Sequence, residues 1–185
     1  GIVAVLKERE LVVGTLGEMD PIDDRLMQKK SQEGACLLGY NTNAGARIDV
    51  KLRTDDLRGF RPYPQLVATL LHELSHNWVG EHDLLFWTNY GQMRVEYLFT
   101  HTLNNQKGFV VNGKTTAQLA GLTFSFRSSR DVFEFVMQEL THEMTQHRLY
   151  PSLIESAIRQ RCDELERATS FSSSFVSLSF FDFIF

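Results

Sequence analysis

Cysteine is scarce in this chain. Cys36 and Cys162 are the only two in 185 residues. They stand far apart and in no C-x-x-C pattern, so they make no metal site. A bridge between them stays open, but two buried thiols in a reducing compartment is the expectation. Basic excess is lacking too: 19 lysines and arginines face 23 aspartates and glutamates, a net charge of -4. That removes any global electrostatic reason to bind nucleic acid, and a basic surface would have to be local. No apolar run has the length or uniformity of a membrane-spanning helix, so no membrane partner is expected. The first residue is Gly1 rather than Met, as in a piece of a longer chain, so a missing leader carries no weight. What is present is ordinary globular composition, with 43% apolar and 23% charged residues. That suffices for one domain with an appendage.

One stretch stands out: Leu70-Leu71-His72-Glu73-Leu74-Ser75-His76-Asn77-Trp78-Val79-Gly80-Glu81-His82-Asp83. Residues four apart share a helix face, so His72 and His76 can aim two imidazoles at one zinc ion. Glu73, beside His72, can instead take the proton of an attacking water as general base. Gly80 is expected to turn the chain after the helix, so that His82 returns as a third ligand. Three protein ligands leave a fourth position for water, the mark of a catalytic rather than a structural zinc. Chance gives H-E-x-x-H from this composition in about one shuffle in a hundred, and the third histidine lowers that about thirtyfold. Leu66, Val67, Leu70, Leu71 and Leu74 recur at helical spacing, which favours a half-buried helix over a scatter of surface histidines.

Ahead of the motif, Ile2 to Leu6 is a short apolar run that reads as a strand. Gly14, Gly17 and Asp20-Pro21 read as punctuation. Residues 22–34 are charged and polar and read as a solvated loop or short helix. An apolar run follows from Cys36 to Tyr40. Asn41, Asn43 and Gly45 suit a hairpin turn. Ile48, Val50 and Leu52 then alternate with Asp49, Lys51 and Arg53, the period of a half-buried strand. An exposed edge of this strand pair could bind extended substrate by strand addition. Pro64 suits a first turn, so the motif helix is expected over Pro64–Val79.

Behind the motif, a second helix is expected from His82 or Asp83 to Asn105, weakened by Gly91. Asn112-Gly113 marks a hairpin. Ser128-Ser129-Arg130-Asp131 resembles a capping box ahead of the stripe Val132, Phe133, Val136, Met137, Leu140 and Met144. Ser152-x-x-Glu155 resembles another, opening Leu153–Ala168. Residues 130–169 thus read as a helical hairpin. The tail 170–185 turns abruptly to serine and phenylalanine and resembles an aggregation-prone strand.

Other polar residues are weaker candidates. His142 and His147 are five apart, on different faces of a helix, and read as solvated. Asp83 is either a hydrogen-bond acceptor behind a ligand histidine or a helix cap. Trp78, Phe86 and Trp87 read as packing. Arg53, Tyr90, Tyr97 and His101 are candidates for stabilising a tetrahedral oxyanion, with nothing in the spacing to choose among them. Arg47, Lys51, Arg53, Arg58 and Arg61 make the densest basic stretch, but Asp49, Asp55 and Asp56 interrupt it. A solvated face is the better reading than phosphate contact.

At several of these residues the chain resembles a known family. H-E-L-S-H-N at His72–Asn77, G-E-H-D at Gly80–Asp83 and then Phe86-Trp87 look like the WLM domain, the zinc metalloprotease family related to the SprT and Spartan proteases. Gly1–Lys7, Leu38–Gly45 and Leu52–Phe60 look like the branch that carries an N-terminal ubiquitin-like domain. The resemblance covers roughly residues 1–100. It implies an α+β fold with a minimal zincin-like core: a small antiparallel sheet packed on the H-E-x-x-H helix and a following helix, with a C-terminal helical extension. It implies His72, His76 and His82 as ligands of Zn2+ and Glu73 as general base. It also implies a nuclear role, with a cytoplasmic one left open: cleaving proteins crosslinked to DNA or modified by ubiquitin or SUMO, alongside an AAA+ segregase. Gly80 sits one position later than the metzincin glycine, so a Met-turn is not expected. On this reading 1–104 is the metalloprotease domain, 105–169 a helical extension and 170–185 a tail.

The leading reading is a zinc-dependent endopeptidase acting in DNA repair. One rival keeps the site and changes the bond, an isopeptidase on ubiquitin-like conjugates. Another is a zinc-stabilised protein-binding module without catalysis, with the helical hairpin as partner surface. A fourth protein ligand in place of water would favour that one.

Overall fold

The computed structural model describes residues 1–20, 38–115, 118, 126–146 and 151–181, with the backbone alone for 111, 142, 143, 145, 146 and 170–181. The expected loop at 22–34, Cys36, the stretch 119–125 and the side chains of His142 and His147 lie outside the described residues.

The fold is α+β. Helix α1 (Ile2–Glu8) leads into strand β1 (Thr15–Glu18). A hairpin of β2 (Gly39–Thr42) and β3 (Arg47–Val50) precedes the motif helix α2 (Tyr63–Ser75). Helix α3 (Leu84–Gln106), a short hairpin of β4 (Val110–Val111) and β5 (Lys114–Thr115), and helices α4 (Ser129–Gln146) and α5 (Pro151–Phe181) follow.

The first segment is a helix, not the strand its apolar run suggests. Ile2, Val5, Leu6 and Arg9 fall at i, i+3, i+4 and i+7. Val5 is buried, Ile2 and Leu6 pack against the core, and Val3 faces solvent. In so short a run the helical period is hidden by apolar residues on the outer face.

The β2–β3 hairpin forms as expected, with Asn43, Ala44 and Gly45 all at positive φ in its turn. Asn41 Oδ1 accepts the Gly45 N–H at 2.8 Å, which fixes that turn. Strand β1 joins β3 in parallel, so the sheet is mixed rather than wholly antiparallel, in the order β1-β3-β2. Gly17 lies inside β1 and is not punctuation. A Cβ there would run into the Arg47–Asp49 ion pair on the neighbouring strand. Ile48 and Val50 are buried, and β2 and β3 both pack on α2. Directly opposed residues share a sheet face. Gly39, opposite Val50, and Asn41, opposite Ile48, therefore face α2.

Helix α2 carries proline in its first turn and buries Val67, Leu71 and Leu74. It ends at Ser75, earlier than expected, with His76 as its C-terminal cap. Helix α3 packs on α2 with one side and on α4 and α5 with another. Gly91 is required for this rather than a weakness. A Cβ there would stand 2.9 Å from Ile158 Cγ1 of α5 and 3.0 Å from Leu140 Cδ1 of α4. Glu96, also on α3, accepts from Arg9 Nη2 at 2.6 Å and from Arg161 Nε at 2.7 Å, tying α3 to α5 and to the residue that caps α1.

The Asn112-Gly113 turn forms with both residues at positive φ, as a two-residue hairpin requires. Ser128 Oγ accepts from the Asp131 N–H, and the Asp131 carboxylate accepts from the Arg127 N–H, so the box at α4 is closed. Helix α5 opens at Pro151, which places Ser152 inside its first turn, and Glu155 pairs with Arg159 instead of capping. Its backbone stays helical to Phe181. The described part of the tail is therefore not a strand, and no glycine or proline follows Pro151 to stop the helix. Cys162 is a buried free thiol, pushed up to about 12 by that burial. Among the described residues no helix is long and apolar enough to cross a membrane.

Candidate metal and catalytic site

Helix α2 supplies His72, Glu73 and His76, and the segment before α3 brings back His82. The three imidazoles converge. Their ring centroids lie 4.9 to 5.2 Å apart, and their ligand-capable nitrogens all lie within 4.8 Å of one another. His72 Nε2 and His82 Nε2 face each other at 2.9 Å. His76 Nδ1 lies 2.9 Å from the Val79 carbonyl oxygen. Donating that proton fixes the tautomer and leaves the His76 Nε2 lone pair for the cluster. Three imidazole nitrogen donors, one oriented from behind by a backbone carbonyl, form a donor set that fits zinc. No fourth histidine, cysteine or carboxylate joins the cluster among the described residues. Burial and the two neighbouring imidazoles hold His72 down at about 3, so its ring is neutral at physiological pH.

The return of His82 does not depend on Gly80 as expected. Gly80 has no positive φ, and a Cβ there would meet nothing within 4 Å. The turn is held from its sides instead. Trp78 and Val79 donate their N–H groups to the Ser75 carbonyl, and Val79 is buried. Trp87 Nε1 donates to the His82 carbonyl at 3.2 Å. Asp83 Oδ1 accepts from the Phe86 N–H at 2.9 Å, the bond of a helix cap. The Val79 carbonyl orients His76 from behind.

Phe86 forms the floor of the cluster. Its ring is fully buried and lies 4.7, 4.6 and 4.6 Å from the rings of His72, His76 and His82. Trp87 is buried beside it, as expected. Trp78 is not packed inside; it is 48% exposed, with the Arg9 guanidinium over its ring.

Glu73 is buried between α2 and the sheet. Burial pushes its carboxyl up to about 7, opposed by a hydrogen bond from the Asn41 main-chain N–H. A carboxylate poised there can exchange a proton near neutral pH. Of the four oxyanion candidates, Tyr90 stands beside the cluster, its ring 5.6 Å from that of His72. Its hydroxyl accepts from Arg94 Nη1 at 3.2 Å. Tyr97 packs against Gly1, His101 stacks on Tyr97, and Arg53 pairs with Glu18 on β1. The basic stretch is largely neutralised: Arg47 pairs with Asp49, and Lys51 and Arg61 both pair with Asp55.

Two residues at the site, Asn41 and Asn77, have no role there that the sequence reading assigned. Asn41 Nδ2 donates to the Glu73 carbonyl at 2.6 Å and to Asn77 Oδ1 at 2.7 Å. Asn77 Nδ2 donates to the Val12 carbonyl at 3.3 Å. Counting back from the hairpin turn would have placed Asn41 opposite Ile48 and hence on the buried face.

A family model described as the WLM domain matches residues 1–123. Over 96 residues the chain is 41% identical to the DNA-dependent metalloprotease WSS1 homolog 2 of Schizosaccharomyces pombe, covering 52% of this chain and 32% of that protein. Over 91 residues it is 35% identical to the DNA-dependent metalloprotease WSS1 of Saccharomyces cerevisiae, covering 48% of this chain and 29% of that protein. The chain thus spans about a third of the length of these curated relatives. Among solved structures it is similar to Wss1 from S. pombe, with 39% identity and a TM-score of 0.40 over 50% of this chain and 65% of that one. The corresponding values for Wss1 from S. cerevisiae are 30% and 0.45, over 57% and 71%.

Proposed function

Because the chain belongs to the WLM-domain family, we propose that it is a zinc-dependent endopeptidase acting on proteins crosslinked to DNA. The observation that carries the reading is the convergence of His72, His76 and His82, with the buried Glu73, whose proton affinity lies near neutrality, next to His72 in the chain. The DNA-linked substrate is supported by the two curated relatives, both described as DNA-dependent metalloproteases. A nuclear setting follows from that substrate.

His72, His76 and His82 would hold Zn2+, which when bound polarises the attacking water and the scissile carbonyl. Glu73, one position from His72, takes the proton of the attacking water on its carboxylate. It then returns that proton to the amine nitrogen as the peptide bond breaks. Phe86 keeps bulk water from beneath the imidazoles and so strengthens each electrostatic contact above it. The Trp87 and Asp83 bonds hold the segment that carries His82.

The test is metal analysis together with cleavage of a protein substrate, with and without DNA. One zinc per chain and DNA-stimulated cleavage are expected. Glu73→Gln should keep its zinc and lose cleavage by at least about a thousandfold. Retained cleavage in that variant would sink the mechanism. Selective release of ubiquitin or SUMO with no cleavage of unmodified protein would move the reading to an isopeptidase.

A further inference from the structure

A general base works only if its carboxylate is held where the water arrives. Glu73 follows a metal ligand directly, yet its side chain lies over β2. Two features of that strand account for its seat. The Lys51 N–H donates to the Leu38 carbonyl at 2.8 Å, which marks Leu38 and Lys51 as a hydrogen-bonded pair. Such pairs alternate along an antiparallel ladder, so Gly39 and Asn41 turn their own N–H and C=O groups to the free side of β2. The Glu73 Cγ and carboxyl lie against Gly39 of this strand. The Asn41 side chain faces α2 from the same position. Its carboxamide is fully engaged: the two Nδ2 hydrogens go to the Glu73 carbonyl and Asn77 Oδ1, and Oδ1 takes the Gly45 N–H. The Glu73 carbonyl also accepts the N–H of His76, so one tether reaches the backbone of both residues.

We propose that Asn41 is a positioning residue for Glu73: its carboxamide pins the Glu73 main chain to β2, and Gly39 leaves the space that the Glu73 side chain fills. This rests on the reading of Glu73 as general base. Neither residue touches the reacting atoms on this account; both act through Glu73.

Asn41→Asp separates the tether from the hairpin. It keeps an acceptor for the Gly45 N–H but sets an oxygen against the Glu73 carbonyl and Asn77 Oδ1. A displacement of about 1 Å at a reacting group can cost about a hundredfold. The expected result is a kcat at least about tenfold lower, with KM within about threefold of wild type and zinc content unchanged. Gly39→Ala approaches Glu73 from the other side, since its Cβ would stand 2.6 Å from Glu73 Oε1. It should give the same pattern. A purely structural role would lower stability and zinc occupancy together and leave kcat per zinc-loaded molecule intact. If Asn41→Asp does not fold, Asn41→Ser and Gly39→Ala carry the comparison. A kcat per bound zinc within about twofold of wild type in these variants overturns the proposal.

The tether can also be read without activity, by hydrogen exchange in the full chain. Asn41→Asp is expected to speed exchange of the His76 and Asn77 amides, which close the last turn of α2, by about tenfold. Unchanged protection there overturns the tether. Failure of the peptidase reading is separate: it shows as an inactive wild type or an active Glu73→Gln, whatever Asn41 does.

Discussion

Removing the floor of the histidine cluster should loosen the metal and the fold together. Phe86 is fully buried, with the three imidazoles on one side and the Trp87 ring 5.3 Å away. Phe86→Ala removes a whole ring from a site with little room to collapse, because three of its neighbours are held by other duties. Truncating a buried phenylalanine costs about 3–5 kcal/mol. In a domain of this size each kcal/mol lowers Tm by about 2–4 °C, so a drop of roughly 10 °C is expected. Phe86→Leu keeps most of the volume and should cost under about 1.5 kcal/mol. Thermal melts of zinc-loaded and chelator-treated protein measure the first effect, and zinc transfer to a chromogenic chelator measures the second. Zinc should leave Phe86→Ala faster than Phe86→Leu. A Phe86→Ala protein that melts within about 2 °C of wild type and releases zinc at the wild-type rate would refute the role of the ring as floor.

Three further outcomes follow from the structure. His72 is held at about 3 in the metal-free fold, against an ordinary value near 6.5. A depressed folded value means stability present above about pH 6.5 and lost as the pH falls toward 3, because only the unfolded chain takes up the proton. Urea melts of metal-free protein should therefore weaken on acidification from neutral pH, and wild-type slopes in His72→Ala would show that another group is responsible. Glu96→Ala removes the shared acceptor of two part-buried guanidiniums and should cost about 3 kcal/mol in urea melts. The exposed partner Glu8 should cost under about 0.5 kcal/mol when truncated, because solvent screens its pair.

The metal motif was legible because its spacing is a property of the helix itself. His72 and His76 share a face wherever that helix sits, and Val67, Leu71 and Leu74 mark the side that is buried. The β2–β3 hairpin and the Asn112-Gly113 turn were legible for a similar reason, since their turn residues tolerate positive φ. What failed were segments whose outcome rests on distant partners. Ile2–Leu6 became a helix because Val5 reaches the core on that period. Gly17 and Gly91 looked like breaks, but each is a place where another element comes too close for a Cβ. The described part of the tail stayed helical although its composition favours a strand.

The sequence alone determined which side chains could bind a metal, and which carboxylate stands next to them. Only the tertiary structure decided how they are held. Asn41 lies 32 residues before Glu73, and nothing in local spacing predicts their bond. Phe86 lies beneath histidines from both sides of a turn, and the Val79 carbonyl sets the tautomer of His76. A ligand set can be written in a helical repeat because helix geometry is local. The seat of a general base cannot, because it needs a strand edge and a helix end to meet in space.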